Sequence, residues 1–326
     1  MIETNCDLSI IIVNMNTRDL VRDCLGSVYA NAPTGTFEII VVDNASTDGS
    51  CEVIESEYPE VRLIRNTRNV GFSVANNQAL EIVRGETLLL LNSDTIVPSG
   101  SLDQILEAMS KDDRIGVISP RLVFGDGSLQ LSYGPMPGPF VAFCTFFEVR
   151  RLFPRSMLAA LGRSQIGRLF GSTVGTYAGW LGRDRLPSKE IGPNLYVSGA
   201  CMFIRRACCE QVGRLDPNYF MYVDDADYSK RVHDSGWKIL YLAETTVIHL
   251  QGGTGGRRYR WTSAPAYQSM LYFQKKHRGT WAFRISKFFA VAAVFGRWMF
   301  DVVTGSTEQR STWHLLTELA GYQVPL

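Results

Sequence analysis

Leu88-Leu89-Leu90-Leu91-Asn92-Ser93-Asp94 reads as an apolar strand that runs to its end and delivers a carboxylate to the strand edge. Four consecutive leucines suit a strand buried on both faces, as in a parallel sheet covered by helices. The flanking sequence repeats the pattern. Residues 8–13, 37–42, 61–64 and 115–118 are further apolar or β-rich runs of strand length. Residues 17–29, 53–58, 72–83 and 102–109 have helical spacing. This alternation predicts an α/β fold with a mostly parallel sheet flanked by helices. Gly125-Asp126-Gly127 reads as a hairpin turn, residues 196–204 as one buried strand carrying Gly199 where something approaches closely, and residues 238–242 and 246–249 as two more strands.

Open parallel sheets bind ligands beyond the carboxyl ends of their strands. Polar residues collect there: Asn14 and Asn16 after the first strand, Asp43 after the second, and Asn92, Ser93 and Asp94 after the four leucines. Asp94 is placed to hold a divalent cation through oxygen, or to cap a turn ahead of Pro98. Asp43 only accepts hydrogen bonds. It suits a ribose hydroxyl, or the N3–H of uracil or thymine, which cytosine lacks. Asn69-Val70-Gly71-Phe72 opens the helix after the third strand, where a glycine lets backbone N–H groups reach a diphosphate. His249 closes an apolar strand ahead of Gln251-Gly252-Gly253-Thr254, and is either a structural histidine or a second ligand for an ion on Asp94. The chain has no G-x-G-x-x-G after the first strand and no G-x-x-x-x-G-K-[ST], which argues against a dehydrogenase and a P-loop enzyme.

Phe220-Met221-Tyr222-Val223-Asp224-Asp225-Ala226-Asp227-Tyr228 packs three acids behind an aromatic run and ahead of a helical pattern. A helix start favours one or two acids through its dipole. Three beside apolar neighbours point to a carboxylate that is either neutralised by a partner or kept for proton transfer. Asp224 and Asp225 are the candidates, and Asp227 reads as a helix-start acid.

The chain of 326 residues is 45% hydrophobic with a formal net charge of +1. That suits one α/β domain with an extension, or two small domains, and brings no field toward nucleic acid. Seven cysteines without C-x-x-C spacing indicate reduced thiols in a cytosolic setting and no zinc site. The first apolar run is too short for a signal peptide, and no apolar run reaches the roughly 18 residues of a membrane span. Residues 135–193 break the alternation. Between 150 and 189 they carry eight basic residues and one acid, Asp184, which suits a lid, a surface for an anionic or membrane-borne partner, or a solvated helical hairpin. Lys275-Lys276-His277-Arg278 leads into a helical stretch at 281–303. Arg284, Lys287, Arg297 and Asp301 fall there within an arc of about 140°. Such a helix lies in a membrane interface, or docks on the domain or on a second subunit of a homo-oligomer. The expected division is 1–272 for the catalytic domain and 273–326 for a helical extension.

Taken together, these motifs resemble the inverting family 2 glycosyltransferases of the GT-A fold, a Rossmann-like sheet flanked by helices. The similarity is to the rhamnosyltransferase-like subgroup, with galactofuranosyltransferases as near relatives, over residues 8–254 apart from the insertion. The resemblance implies a dTDP- or UDP-sugar donor held by Asn14, Asn16, Asp43, Asn69, Gly71, Asn77, Asn92 and Ser93. It implies Mg²⁺ or Mn²⁺ on Asp94 and His249, and Asp225 as base beside Asp224. It also implies a glycan or polyprenyl-linked acceptor, and a cytoplasmic, peripheral location at the inner face of the cell membrane. Asn92 stands where the family keeps the first aspartate of its D-x-D, Met15 where an aromatic is frequent, Ala79 where a glycine is usual, and Asp224 where a glutamate is commoner. Two other classes compete. A nucleotidyltransferase would carry a glycine- and basic-rich first loop, which Val13-Asn14-Met15-Asn16-Thr17 lacks. A non-catalytic sugar-nucleotide binder would not keep Asp94, Asp225 and His249 together.

Overall fold

The computed structural model describes residues 6–149, 188–250 and 263–324. Most of the basic stretch at 150–189, and the Gln251-Gly252-Gly253-Thr254 loop, lie outside them. The chain forms two compact units. The first comprises Met1–Gly134, Asp184–Phe220 and Asp224–Arg258, and the second Pro135–Arg183, Met221–Val223 and Tyr259–Leu326. The boundary expected at residue 272 instead falls inside a helix, where Tyr272 and Phe273 are buried.

The first unit is built on a mixed, mostly parallel sheet in the order β3-β2-β1-β4-β11-β6-β12-β5. Strands β1 (Cys6–Asn14), β2 (Phe37–Asp43), β3 (Arg62–Arg65) and β4 (Gly85–Asn92) run parallel, with Asn14 level with Asp43 and Val13 with Asn92. Ile10, Ile11 and Ile12 are all fully buried, as are Ile40, Val41 and Val42. Successive side chains point to opposite faces, so both faces are covered. One face packs on α1 (Arg18–Ala30) and α4 (Ser101–Ser110) through Val21, Leu25, Val28 and Ile105; α3 (Phe72–Leu80) also packs on β1 and β2. A short α2 (Ser50–Glu57) follows the β2 turn. Each leucine of the 88–91 run is buried, a contribution of about 1.5–3 kcal/mol per side chain.

Beyond β4 the sheet departs from the expectation in two places. The run at 196–204 is two strands: β10 (Leu195–Val197) pairs with β8 (Tyr133–Pro135) in a separate two-stranded sheet, and β11 (Cys201–Arg205) runs antiparallel between β4 and β6 (Ile115–Val123). The stretch at 238–249 is one strand, β12 (Lys238–His249), parallel to β6, with a register shift between Leu242 and Thr246. The hairpin at Gly125–Gly127 is present. It joins β6 to β7 (Leu129–Gln130), with Gly127 at φ 78°. Two short strands, β5 (Thr95–Ile96) and β9 (Lys189–Ile191), pair antiparallel with β12. Helix α6 (Arg206–Val212) follows β11. All seven cysteines are free, and burial pushes the Cys24 thiol up to about 12.

The second unit is helical. It packs α5 (Pro139–Phe146) and α9 (Gln309–Gly321) on α8 (Ala264–Thr304), which breaks at Gly279 (φ 83°). Its core joins Ala142 and Phe146 of α5 with Tyr267, Met270, Leu271, Ala290 and Val294 of α8 and Leu316 and Leu319 of α9.

Candidate active site

The carboxyl ends of β1, β2 and β4 are tied by one polar network. Asn14 donates from Nδ2 to Asp43 (2.9 Å) and Ser46 (3.1 Å), and its Oδ1 accepts from the Thr17 hydroxyl (2.5 Å). Thr17 also meets the Ser93 hydroxyl at 3.1 Å. The second oxygen of Asp43 accepts from the Ser46 backbone N–H at 2.8 Å, and Asp43 is 1% exposed. Asn16 sits in the left-handed region (φ 51°) and accepts from the Thr47 N–H at 2.8 Å. Asn14, Asn16, Asp43 and Ser93 are thus brought together. Thr17, which sequence reasoning missed, is the bridge among them.

Asp94 and His249 meet across the β4–β5 turn and the end of β12, with Asp94 Oδ1 3.1 Å from His249 Nε2. Pairing of Thr95 with His249, and the Leu250 N–H bond to the Asp94 carbonyl at 2.9 Å, hold the two in register. His249 Nδ1 lies 2.9 Å from the Gln130 side-chain oxygen, and Gln130 is buried at the end of the β6–β7 hairpin. An amide oxygen only accepts, so Nδ1 carries a proton, and Nε2 faces Asp94 either as an N–H donor or as a lone pair. Asn92 Nδ2 lies 3.3 Å from the same Nε2. A carboxylate oxygen and a ring lone pair this close repel unless a proton or cation stands between them. A separation of about 3 Å is also that of adjacent ligands around a six-coordinate Mg²⁺ or Mn²⁺ with bonds of about 2.1 Å. Hard oxygen with imidazole therefore fits such an ion. Gln130 was not found from the sequence. The hairpin signal was read, but nothing local marks which residue it delivers.

The acid pair stands at the start of α7 (Asp224–Asp234). Tyr222 and Val223, just ahead, are both left-handed (φ 68° and 65°). For a β-branched valine that is an outlier costing about 1–3 kcal/mol, of the kind that gathers at functional sites. Asp225 is half-buried, and its two oxygens accept from the Ala226 N–H (2.8 Å) and the Gly199 N–H (3.1 Å). Gly199 lies in the turn where the chain passes from β10 to β11, and the next residue, Ala200, accepts from the Asn92 N–H at 3.0 Å. This ladder sets Asp225 against the end of β4. Asp224 is buried. Burial first, and then the charge of Asp225, push its carboxyl well above the usual carboxylate range. Asp227 is more than a helix-start acid. It is fully buried, ion-paired with Arg231 at 2.9 Å, and reached by the Tyr219 hydroxyl at 3.3 Å. Arg231 in turn donates to the carbonyls of Val212 and Arg214.

Three expected donor-side residues are otherwise engaged. Gly71 has φ 86°, and a Cβ there would come within 2.6 Å of the Phe220 carbonyl oxygen. The Phe72 N–H donates to that same oxygen at 2.6 Å, and the Gly71 N–H donates to Asn69 Oδ1. The backbone leading to the acid pair therefore approaches this glycine closely. Asn77 uses both ends of its amide on the backbone of Leu215, at 2.7 and 3.0 Å, and so props the same loop. Asn69 completes the turn, its Nδ2 2.9 Å from Met15 Sδ.

Residues 9–169 match a family model described as glycosyl transferase family 2, and residues 174–300 match one described as glycosyltransferase like family 2. The chain is 28% identical over 255 residues to an N-acetylglucosaminyl-diphospho-decaprenol L-rhamnosyltransferase of Mycobacterium tuberculosis, covering 74% of this chain and 76% of that one. It is 25% identical over 252 residues to the low-salt glycan biosynthesis hexosyltransferase Agl10 of Haloferax volcanii, covering 75% and 67%. Among solved structures it resembles the mannosyltransferase PcManGT from Pyrobaculum calidifontis, in complex with GDP-Man and Mn²⁺. The TM-score is 0.55 at 15% identity, covering 98% of this chain and 81% of that one, and the likeness is one of fold.

Proposed function

Because this chain belongs to the family 2 glycosyltransferases and is of the rhamnosyltransferase-like type, we propose that it is an inverting, metal-dependent enzyme acting at the inner face of the cell membrane. It moves rhamnose or a similar sugar from a dTDP- or UDP-sugar to a hydroxyl of a lipid-linked or cell-surface glycan. The observation that carries this reading is the 3.1 Å approach of Asp94 to His249 at the sheet edge, with Asp225 tied through Gly199 and Ala200 to the neighbouring strand end. Asp225 takes the proton of the acceptor hydroxyl while its oxygen bonds to the anomeric carbon and the bond to the diphosphate oxygen breaks. One displacement from the face opposite the leaving group inverts the anomeric centre. Asp94 and His249 would hold a divalent cation, which when bound neutralises charge on the leaving diphosphate. Gln130 keeps the His249 lone pair turned to that position.

Asp43 spends two of its four lone-pair sites on Asn14 and Ser46. The Cys51 thiol also hydrogen-bonds to it, and a remaining lone pair suits the N3–H of uracil or thymine. The acceptor class agrees with the polyprenyl-linked substrate in the name of the mycobacterial relative. Thermal-shift measurement with UDP, dTDP, CDP and GDP, each with Mn²⁺, Mg²⁺ or EDTA, tests the reading, because a ligand of the folded state raises apparent stability. UDP or dTDP with a cation should stabilise the protein well above CDP, and EDTA should stop sugar transfer. Full transfer in EDTA would overturn the metal assignment, and equal stabilisation by CDP would overturn the nucleobase role of Asp43.

A further inference from the structure

Helix α8 turns its small side chains inward. Ala282, Ser286, Ala290 and Val294 recur every four residues and are buried. Trp281, Phe288, Phe295, Met299 and Val302 fall on the opposite side, within an arc of about 60°. All five are exposed, Trp281 at 71% and Phe288 at 68%. The face continues beyond the helix. Ring contacts run from Phe147 to Phe143 of α5 (5.0 Å), on to Phe289 (5.2 Å) and to Phe288 (6.0 Å). Towards the other end, Phe295 meets Trp298 at 5.8 Å, and Trp298 meets Trp313 of α9 at 4.9 Å. The result is one aromatic surface shared by three helices of the second unit. Folded monomers seldom leave so large a contiguous apolar surface in water unless it binds something.

We propose that this surface docks the protein on the headgroup–acyl boundary of an anionic bilayer, a proposal that rests on the reading of a lipid-linked acceptor. Charge selects the occupant. Arg284 is exposed and lies in the same arc as the aromatics. Across residues 281–303 the other charges are Lys287, Arg297 and a single acid, Asp301. Asp301 is buried and accepts from the Thr312 hydroxyl at 2.7 Å. Over residues 263–324 there are seven Lys and Arg against three acids. A second copy of this face would set base against base, with no exposed carboxylate on the stripe to answer it. An anionic leaflet supplies the missing sign, and Trp and Phe rings settle at headgroup depth. Among the described residues no helix is long and apolar enough to cross a membrane, so the face lies on the bilayer.

Co-sedimentation of the full-length chain with phosphatidylcholine vesicles containing one quarter phosphatidylglycerol, at low salt, tests this. The protein should pellet with these vesicles and far less with pure phosphatidylcholine. Trp281→Ser, Phe288→Ser and Phe295→Ser combined should weaken binding at least tenfold, and Arg284→Glu by about fivefold. These side chains are exposed, so far-ultraviolet dichroism and transfer to a soluble acceptor should stay unchanged. A wild-type chain that ignores anionic vesicles, or a triple variant that binds like wild type, would overturn the proposal. So would a concentration-dependent dimer that the triple variant abolishes without any vesicle binding, since the face would then be a subunit interface. Vesicle binding without any glycosyl transfer would leave this surface standing and sink the proposed reaction. Transfer without vesicle binding would do the reverse.

Discussion

Two stretches of one sheet edge treat their polar side chains differently. At the ends of β1 and β2, Asn14, Thr17, Asp43 and Ser46 close on one another, each donor meeting an acceptor. At the ends of β4 and β12 and the start of α7, titratable groups crowd together: Asp94 lies 3.1 Å from His249 Nε2, and Asp224 is buried beside Asp225. The first arrangement is cross-linked by hydrogen bonds within the protein and shapes a loop. The second holds electrostatic tension that a cation, a proton or a substrate relieves, and that is where chemistry is expected.

The comparison predicts that substitutions on the tense side cost activity and those on the satisfied side cost stability. The largest effect should come from Asp225→Asn, which should lower transfer by about 10³-fold or more while calorimetric donor affinity stays near wild type. Near-normal turnover would break the assignment. Asp227→Asn is the contrast two residues away. It strips the partner from Arg231 and should cost about 3 kcal/mol in urea unfolding, with turnover of the folded fraction largely kept. Gln130→Leu should weaken Mn²⁺ binding, read by titration with UDP present, by about 10- to 100-fold. Gln130→Glu, which keeps an acceptor for His249, should restore it. Equal loss in both variants would make Gln130 a packing residue. The smallest effect carries the opposite sign. Because the folded Asp224 carboxyl is raised, the stability its proton supports is full below the unfolded value near 3.8 and is lost as pH rises through the folded one. Asp224→Asn should therefore match wild type at pH 4 and melt about 2–4 °C higher at pH 8. Parallel melting curves across that range would remove the buried proton from the account.

The parallel half of the fold was legible because strands buried on both faces read as unbroken apolar runs, which no surface helix imitates. The same property hid the break at 198–200. An apolar run carries no mark of passing from one sheet to another, so β10 and β11 merge in the sequence. Asp94 and His249 stand out in the sequence as polar residues that close apolar strands, and Asp225 as one of three acids gathered behind an aromatic run. Gly71 was noticed as a glycine at a helix start, but its close neighbour Phe220 was not. Phe220 is remote in sequence, and such contacts leave no local pattern. Helix α8 inverted a rule of thumb. Past Gly279, close packing selects small residues for its inner face, so Trp281, Phe288 and Phe295 are left outside, where a hydrophobicity count expects the core.

The excursion that leaves the first unit after Gly134 and re-enters it at Asp184 is pinned at its base. The Lys189 ammonium sits 4.5 Å above the Tyr133 ring, and β8 pairs with β10. A loop whose two ends already touch grows at little thermodynamic expense, since each doubling of its length adds only about 0.6 kcal/mol of closure entropy. Changes of chain length between α5 and Lys189 should therefore leave the carboxylate that Gly199 holds in place, whereas removing α5 would take Ala142 and Phe146 out of the helical core.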